Sequence, residues 1–128
     1  MEKGFSFVEL LVVITIIAVM MGIGAVSYQT TGRNSRDTRR KSDIEVIKSA
    51  LEIYRAEVGQ YPTLNTDINN KITSTSITDG VNTYLDPIPA DPDEDTDYFY
   101  TYDRTSASSY TLCASALENG GNYCVANP

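Results

Sequence analysis

Hydrophobic positions run almost without interruption from Phe5 to Val26, a 22-residue stretch whose single charge is Glu9. At about 1.5 Å per residue it would extend about 33 Å as a helix, enough to cross a bilayer core of about 30 Å. Beyond Tyr28 the pattern becomes periodic. Ile44, Ile47, Leu51, Tyr54 and Val58 follow a 3-4-3-4 spacing, the stripe of an amphipathic helix. Opposite charges lie at helical spacing in Asp37 and Lys41, Glu45 and Lys48, Lys48 and Glu52, and Glu52 and Arg55. Gly59 and the Tyr61-Pro62 step supply the stop. The pattern predicts one helix over 5–58, apolar all round in its first half and two-faced in its second, with Thr30–Asn34 its loosest stretch.

The second half reads differently. Residues 63–81 are rich in Thr, Asn and Ser and predict a long connection with at most one short helix. Tyr84 to Pro92 is extended and turn-rich. Tyr98, Tyr100 and Tyr102 alternate with other residues, as do Tyr110, Leu112 and Ala114, which predicts strands. Asn119-Gly120-Gly121 marks a turn after which 122–126 pairs back. The apolar side of this small antiparallel sheet would pack on the helical stripe around Ile44–Tyr54. Cys113 and Cys124, the only cysteines, flank that turn. A disulfide there would close a short loop and contribute about 3 kcal/mol by chain entropy. It would also place the domain in an oxidising compartment. Two free thiols are the alternative.

Composition sharpens the division. Met1–Gln60 holds eight basic and seven acidic residues, whereas Tyr61–Pro128 holds two basic and ten acidic residues and all five prolines. The overall charge of −7 argues against nucleic acid as a direct partner. The chain has no His, which removes the commonest general base and the commonest transition-metal ligand. No nucleophile–base pair is visible, so an enzyme is not expected.

The apolar segment is compatible with a signal peptide cut near Ala25–Ser27, with a plain anchor, or with an assembly helix. Arg33, Arg36, Arg39, Arg40 and Lys41 follow it, whereas only Lys3 precedes it. Loop charge would therefore put the second half in the cytoplasm, against the reading of the cysteines. This basic collar is either a solvated face, a contact for anionic lipid headgroups, or a partner for the acidic half of an adjacent subunit. Glu9 stands out. A carboxylate so deep in an apolar helix costs about 2.5–3.5 kcal/mol. It either reaches water at the bilayer edge or meets a positive group in an assembly.

Lys3-Gly4-Phe5-Ser6-Phe7-Val8-Glu9-Leu10-Leu11-Val12-Val13-Ile14 closely resembles the class III leader of type IV pilins and type II secretion pseudopilins. The resemblance implies cleavage after Gly4 by a prepilin peptidase, N-methylation of Phe5, and pairing of Glu9 with the Phe5 ammonium of a neighbouring subunit. A buried cation and a buried carboxylate relieve each other's cost only when paired, so processing would create the partner that Glu9 lacks. Many members of the family carry Pro near the position of Val26. Here Gly22 and Gly24 occupy that region and suit either a local melt on assembly or close helix packing.

The implied fold is α+β and pilin-like. A long N-terminal helix, transmembrane in its first half, packs on a small antiparallel sheet with a disulfide near the C-terminus. The implied division is a leader over 1–4, a filament-core helix over 5–28, and a periplasmic or extracellular domain over 29–128. That domain comprises an amphipathic helix half (29–58), a loop (59–97) and the sheet (98–126). The implied function is a structural subunit of a type IV pilus-like filament, with a type II secretion pseudopilin as the alternative. A calcium-dependent anchored binding domain is a third reading. Implied partners are copies of the chain itself, the prepilin peptidase, an assembly-platform membrane protein with its ATPase, and membrane lipid.

Asp91, Asp93, Asp95 and Asp97 alternate, with Glu94 among them. Hard oxygen ligands suit calcium, and type II secretion major pseudopilins commonly bind calcium in this part of the domain. The spacing is not that of an EF-hand, lacking Gly at the sixth position and Glu at the twelfth. Calcium held by these residues, with or without Asp86, and a solvated acidic turn are both open.

Overall fold

The computed structural model describes residues 4–93 and 97–127, the side chains of 25–27 excepted. Residues 1–3 of the expected leader, and Glu94 and Asp95 of the acidic run, lie outside the described residues. So do the side chains at the alternative signal-peptide cleavage position. A single helix, α1, runs Phe7–Val58. It begins two residues later than expected and is not interrupted over Thr30–Asn34. The chain divides within it into two compact units, Met1–Arg33 and Asn34–Pro128.

In the first unit every described side chain from Gly4 to Gly24 is exposed, among them Phe5, Phe7, Met20 and Ile23. An apolar helical stretch with no protein surface covering it has the length and composition of a membrane span. Its described residues form no core to bury these side chains in, so lipid or neighbouring helices are their natural solvent.

The second unit is built around the rest of α1. Five strands follow: β1 (Ile77–Thr78), β2 (Thr83–Leu85), β3 (Tyr100–Ser106), β4 (Ser109–Ala114) and β5 (Tyr123–Asn127). β1 and β2 form a small antiparallel hairpin, and β3-β4-β5 form an antiparallel sheet in that order. The free side of β3 is covered by residues 70–72. Ile72 N–H donates to the Tyr100 carbonyl and Tyr102 N–H to the Asn70 carbonyl, each at 2.9 Å. An edge protected in this way is a poor template for uncontrolled strand addition.

The core consists of Ile44, Ile47, Ala50 and Leu51 from α1, Tyr61, Leu64 and Ile77 from the connections, and Tyr100, Tyr102, Tyr110, Leu112 and Ala114 from the sheet. The 3-4-3-4 stripe therefore faces the sheet as expected, except at its end. Val58 is exposed, because the helix stops there. The Gly59 amide closes the last turn on the Arg55 carbonyl at 2.8 Å, with Gly59 at φ +85°, a conformation that glycine adopts without strain. The connection over 63–81 holds no helix; it contains a Thr66–Ile72 bridge and the first strand of the hairpin.

Tyrosine hydroxyls tie the remaining elements to the acids of α1. Tyr100 donates to Asp43 at 2.8 Å, Tyr123 to Glu45 at 2.9 Å, Tyr61 to Glu52 at 2.9 Å and Tyr84 to Glu57 at 2.8 Å. Glu52, expected to pair with Lys48 and Arg55 along the helix, thus receives a phenol from outside it. The expected Glu45–Lys48 contact is present at 3.4 Å.

Burial pushes the Tyr102 phenol up to about 12. Burial first, then the carboxylates of Asp43 and Glu52, raises Tyr100 and Tyr110 as well. Unfolded phenols ionise near pH 10 and folded ones later, so the unfolded state loses protons first and stability falls as pH rises through about 10. Fluorescence-monitored urea unfolding at pH 8 and pH 11 checks this. An unchanged midpoint would exclude the tyrosine lattice as a source of stability.

Candidate functional site

The expected processing residues lie at the start of the first unit. Gly4 and Phe5 precede α1 in exposed chain outside any helix or strand, and Glu9 stands in the first helical turn. The Ser6 carbonyl accepts from the Glu9 and Leu10 amides at 3.0 and 3.2 Å. The first turn of a helix is where a carboxylate is electrostatically favoured. Ser6-Phe7-Val8-Glu9 also has the residue order of a capping box, a start signal that the sequence reading passed over. Glu9 is thus held near the exposed Gly4-Phe5 step, where cleavage is expected, by ordinary helix geometry, four residues from Phe5.

The second constellation lies in the second unit, and its centre is Arg40, a member of the basic collar. The Arg40 side chain is fully buried. Its Nε and Nη2 donate to the two oxygens of Asp91 at 2.8 and 2.9 Å. Its Nη1 donates to Asp37 at 2.9 Å and to Glu118 at 3.1 Å. The Tyr98 ring lies under the guanidinium, 4.3 Å from its carbon to the ring centroid. Arg36 donates to Glu118 through Nε and Nη2. Asp37 further accepts the Glu118 amide at 2.8 Å, the Asn119 amide at 3.1 Å and the Asn119 side-chain amide at 2.7 Å.

The collar is therefore not one solvated face. Arg40 and Arg36 are committed within the chain, while Arg39 lies 3.9 Å from Asp43 and Lys41 sits over the Tyr123 ring. The signal was present in the spacing. Continued backwards, the stripe of Ile44, Ile47 and Leu51 places Arg40 and Asp37 on the same inward face.

Burial opposes charge on Asp37, but the Glu118 and Asn119 donors outweigh it and hold its carboxyl below its ordinary value. Hydrogen bonding from Arg36 does the same for Glu118, with burial opposing and Arg40 assisting. Both carboxyls are depressed in the fold, so their stabilisation is present above the unfolded values, about 3.9 and 4.3. It disappears as pH falls through the folded ones. Acid unfolding of the second unit should begin below about pH 4, and the Asp37→Asn variant should show a shallower acid limb in circular dichroism. An identical limb would place the acid sensitivity elsewhere.

The expected acidic ligands that lie among the described residues, Asp91, Asp93 and Asp97, are not gathered together. Asp91 is buried, and both of its oxygens are engaged by Arg40, with the Asp93 amide adding a third donor at 3.0 Å. Asp86, Asp93 and Asp97 are exposed, and Asp95 lies outside the described residues. Among the described residues no group of three acidic, Cys or His side chains is arranged to hold a metal. A calcium ion takes six to eight oxygens at about 2.3–2.6 Å. At Asp91 it would have to displace a guanidinium already bound bidentately, so the described residues around Asp91 do not fit it.

The cysteines form a disulfide between directly paired residues of β4 and β5, with a Cα–Cα distance of 4.1 Å. Gly120 and Gly121, both at positive φ, turn the intervening loop, and the Gly120 amide bonds back to the Leu117 carbonyl. This loop carries Glu118 and Asn119 to α1. The disulfide and the ion network thus hold the same segment, which sequence reading did not connect.

The comparisons with known proteins match this layout. A family model described as type II secretion system (T2SS), protein G, matches residues 28–122, and one described as the prokaryotic N-terminal methylation motif matches residues 1–25. A type II secretion system core protein G from Escherichia coli is 25% identical over 96 residues, covering 71% of this chain and 66% of that protein. One from Vibrio cholerae is 23% identical over 124 residues, covering 93% and 85%. A fimbrial protein from Pseudomonas aeruginosa is 33% identical over 51 residues, covering 40% and 33%. No solved structure matches the chain. The apolar first unit and these relatives fit a subunit anchored in the inner membrane. With one model spanning most of the second unit and the other covering residues 1–25, the chain belongs to the type II secretion system protein G family of pilin-like subunits.

Proposed function

We propose that this chain is a non-enzymatic structural subunit of a short secretion filament, stored in the inner membrane and assembled after processing. The observation that carries this reading is Gly4-Phe5 and Glu9 placed before and on an uncovered apolar helix, in a chain whose remainder matches the protein G family. Prepilin peptidase would cut after Gly4 on the cytoplasmic side, and Phe5 would be methylated. The new ammonium would pair with Glu9 of a neighbour, so that two charges costly in an apolar medium enter the filament together. The second unit would face the periplasm, where the disulfide is stable. Filament extension would draw on a separate ATPase and its membrane platform.

A type IV pilus subunit is the second reading, favoured by the fimbrial relative. N-terminal sequencing and intact mass of the protein from its host test the processing step. The expected result is a chain beginning at Phe5 with one added methyl. A start near Tyr28 would indicate an ordinary signal peptide, and an uncut chain a plain anchor. Deletion of the gene separates the two filament readings: loss of protein secretion with surface pili retained identifies the secretion filament.

A further inference from the structure

We propose that the guanidinium of Arg40 is a built-in cation that closes the second unit, doing the work for which the family resemblance leads one to expect calcium. Three carboxylates from sequence-distant places converge on it: Asp37 one turn earlier on α1, Asp91 from the segment preceding β3, and Glu118 from the loop between β4 and β5. Asp37 is fixed by the helix, but neither the Asp91 segment nor the Glu118 loop is held by a long run of backbone pairing at that point. A central positive charge is what allows three acids to meet in a buried place, since without it their mutual repulsion and desolvation would drive the loops apart. A divalent ion between loops acts in the same way.

The guanidinium does it with directed bonds. The planar fork matches the Asp91 carboxylate bidentately, and the remaining nitrogen spans Asp37 and Glu118. Its face is closed off by Tyr98. The cation is covalently part of the chain, so it cannot be lost to dilution or chelation. Closure of this unit is then independent of the calcium concentration outside the cell.

The full chain, purified in detergent, tests this by thermal unfolding. Wild type is expected to melt at the same temperature in excess chelator and in millimolar calcium. A calcium-dependent rise of several degrees would overturn the proposal. Arg40→Gln is expected to melt at least ~10 °C lower, since it leaves the buried Asp37 and Asp91 without their cation and Glu118 with Arg36 alone. Arg40→Lys keeps the charge without the fork and should melt between the two. An Arg40→Gln variant as stable as wild type would overturn the clamp, as would an Arg40→Lys variant no more stable than Arg40→Gln. If Arg40→Gln does not accumulate, limited proteolysis of Arg40→Lys supplies the reading. Cleavage confined to 91–97 and 115–122 and faster than in wild type supports the clamp, and an unchanged pattern opposes it.

Discussion

Replacing Glu9 by Ala or Gln is expected to leave cleavage after Gly4 intact while abolishing normal filaments. The side chain is exposed on the first turn of α1 and lies outside the core of the second unit, so the subunit itself should fold and remain in the membrane. What changes is the assembled state. In the proposed mechanism processing would create an ammonium at Phe5, and packing helices together would take that charge away from water. With Glu9 present, the two charges compensate each other. With Ala or Gln, the ammonium enters alone, at a cost of about 2.5–3.5 kcal/mol by insertion scales. At about 1.4 kcal/mol per tenfold, that weakens each subunit addition on the order of 100-fold. Shear-fraction yield and filament length by electron microscopy, beside the mass of the processed subunit, read the two effects separately. Filaments of normal length from the Glu9→Gln variant would remove the charge pair from the assembly mechanism.

The parts of this molecule legible in its sequence are those governed by local periodicity. The Ile44, Ile47 and Leu51 stripe, the inward alternation of Tyr110, Leu112 and Ala114, and the two cysteines about a glycine turn each needed only neighbours along the chain. All three occur in the fold. The hairpin of β1 and β2 was hidden because strands of two and three residues are too short to show alternation. The ion network was hidden for another reason. Arg40 looks like any juxtamembrane arginine, and the choice between a solvated and a buried guanidinium is made by Asp91 and Glu118, 51 and 78 residues away. The helical phase of Arg40 held half of that information, because it continues the apolar stripe. Asp91 was misleading in the opposite sense. Alternating acids suggest a cation from solution, yet this acid is matched by a cation within the chain.

Loss of the Cys113–Cys124 bond should have the second large effect, because two stabilising devices share one loop. The bond joins residues 11 apart in sequence. For so short a loop the chain-entropy contribution is about 3 kcal/mol, and removing native disulfides from small secreted domains costs about 2–5 kcal/mol. For a unit of this size each kcal/mol corresponds to about 4–8 °C in melting temperature. The paired Cys113→Ser, Cys124→Ser variant is therefore expected to melt about 10–20 °C below the oxidised chain. Reductant should lower wild type similarly and leave the variant unmoved. The local consequence distinguishes this from a generic loss of stability. Glu118 and Asn119 donate their amides to Asp37 from inside the closed loop, so opening it should speed hydrogen exchange at those amides more than at Tyr102, whose amide bonds to Asn70 on the opposite side of the sheet. Equal acceleration at all three would mean that the bond acts only on the unfolded chain. Selective acceleration at Glu118 and Asn119 would show that oxidation also sets the geometry in which Asp37, Arg40 and Glu118 meet, making the buried guanidinium fully effective only once the subunit has reached an oxidising compartment.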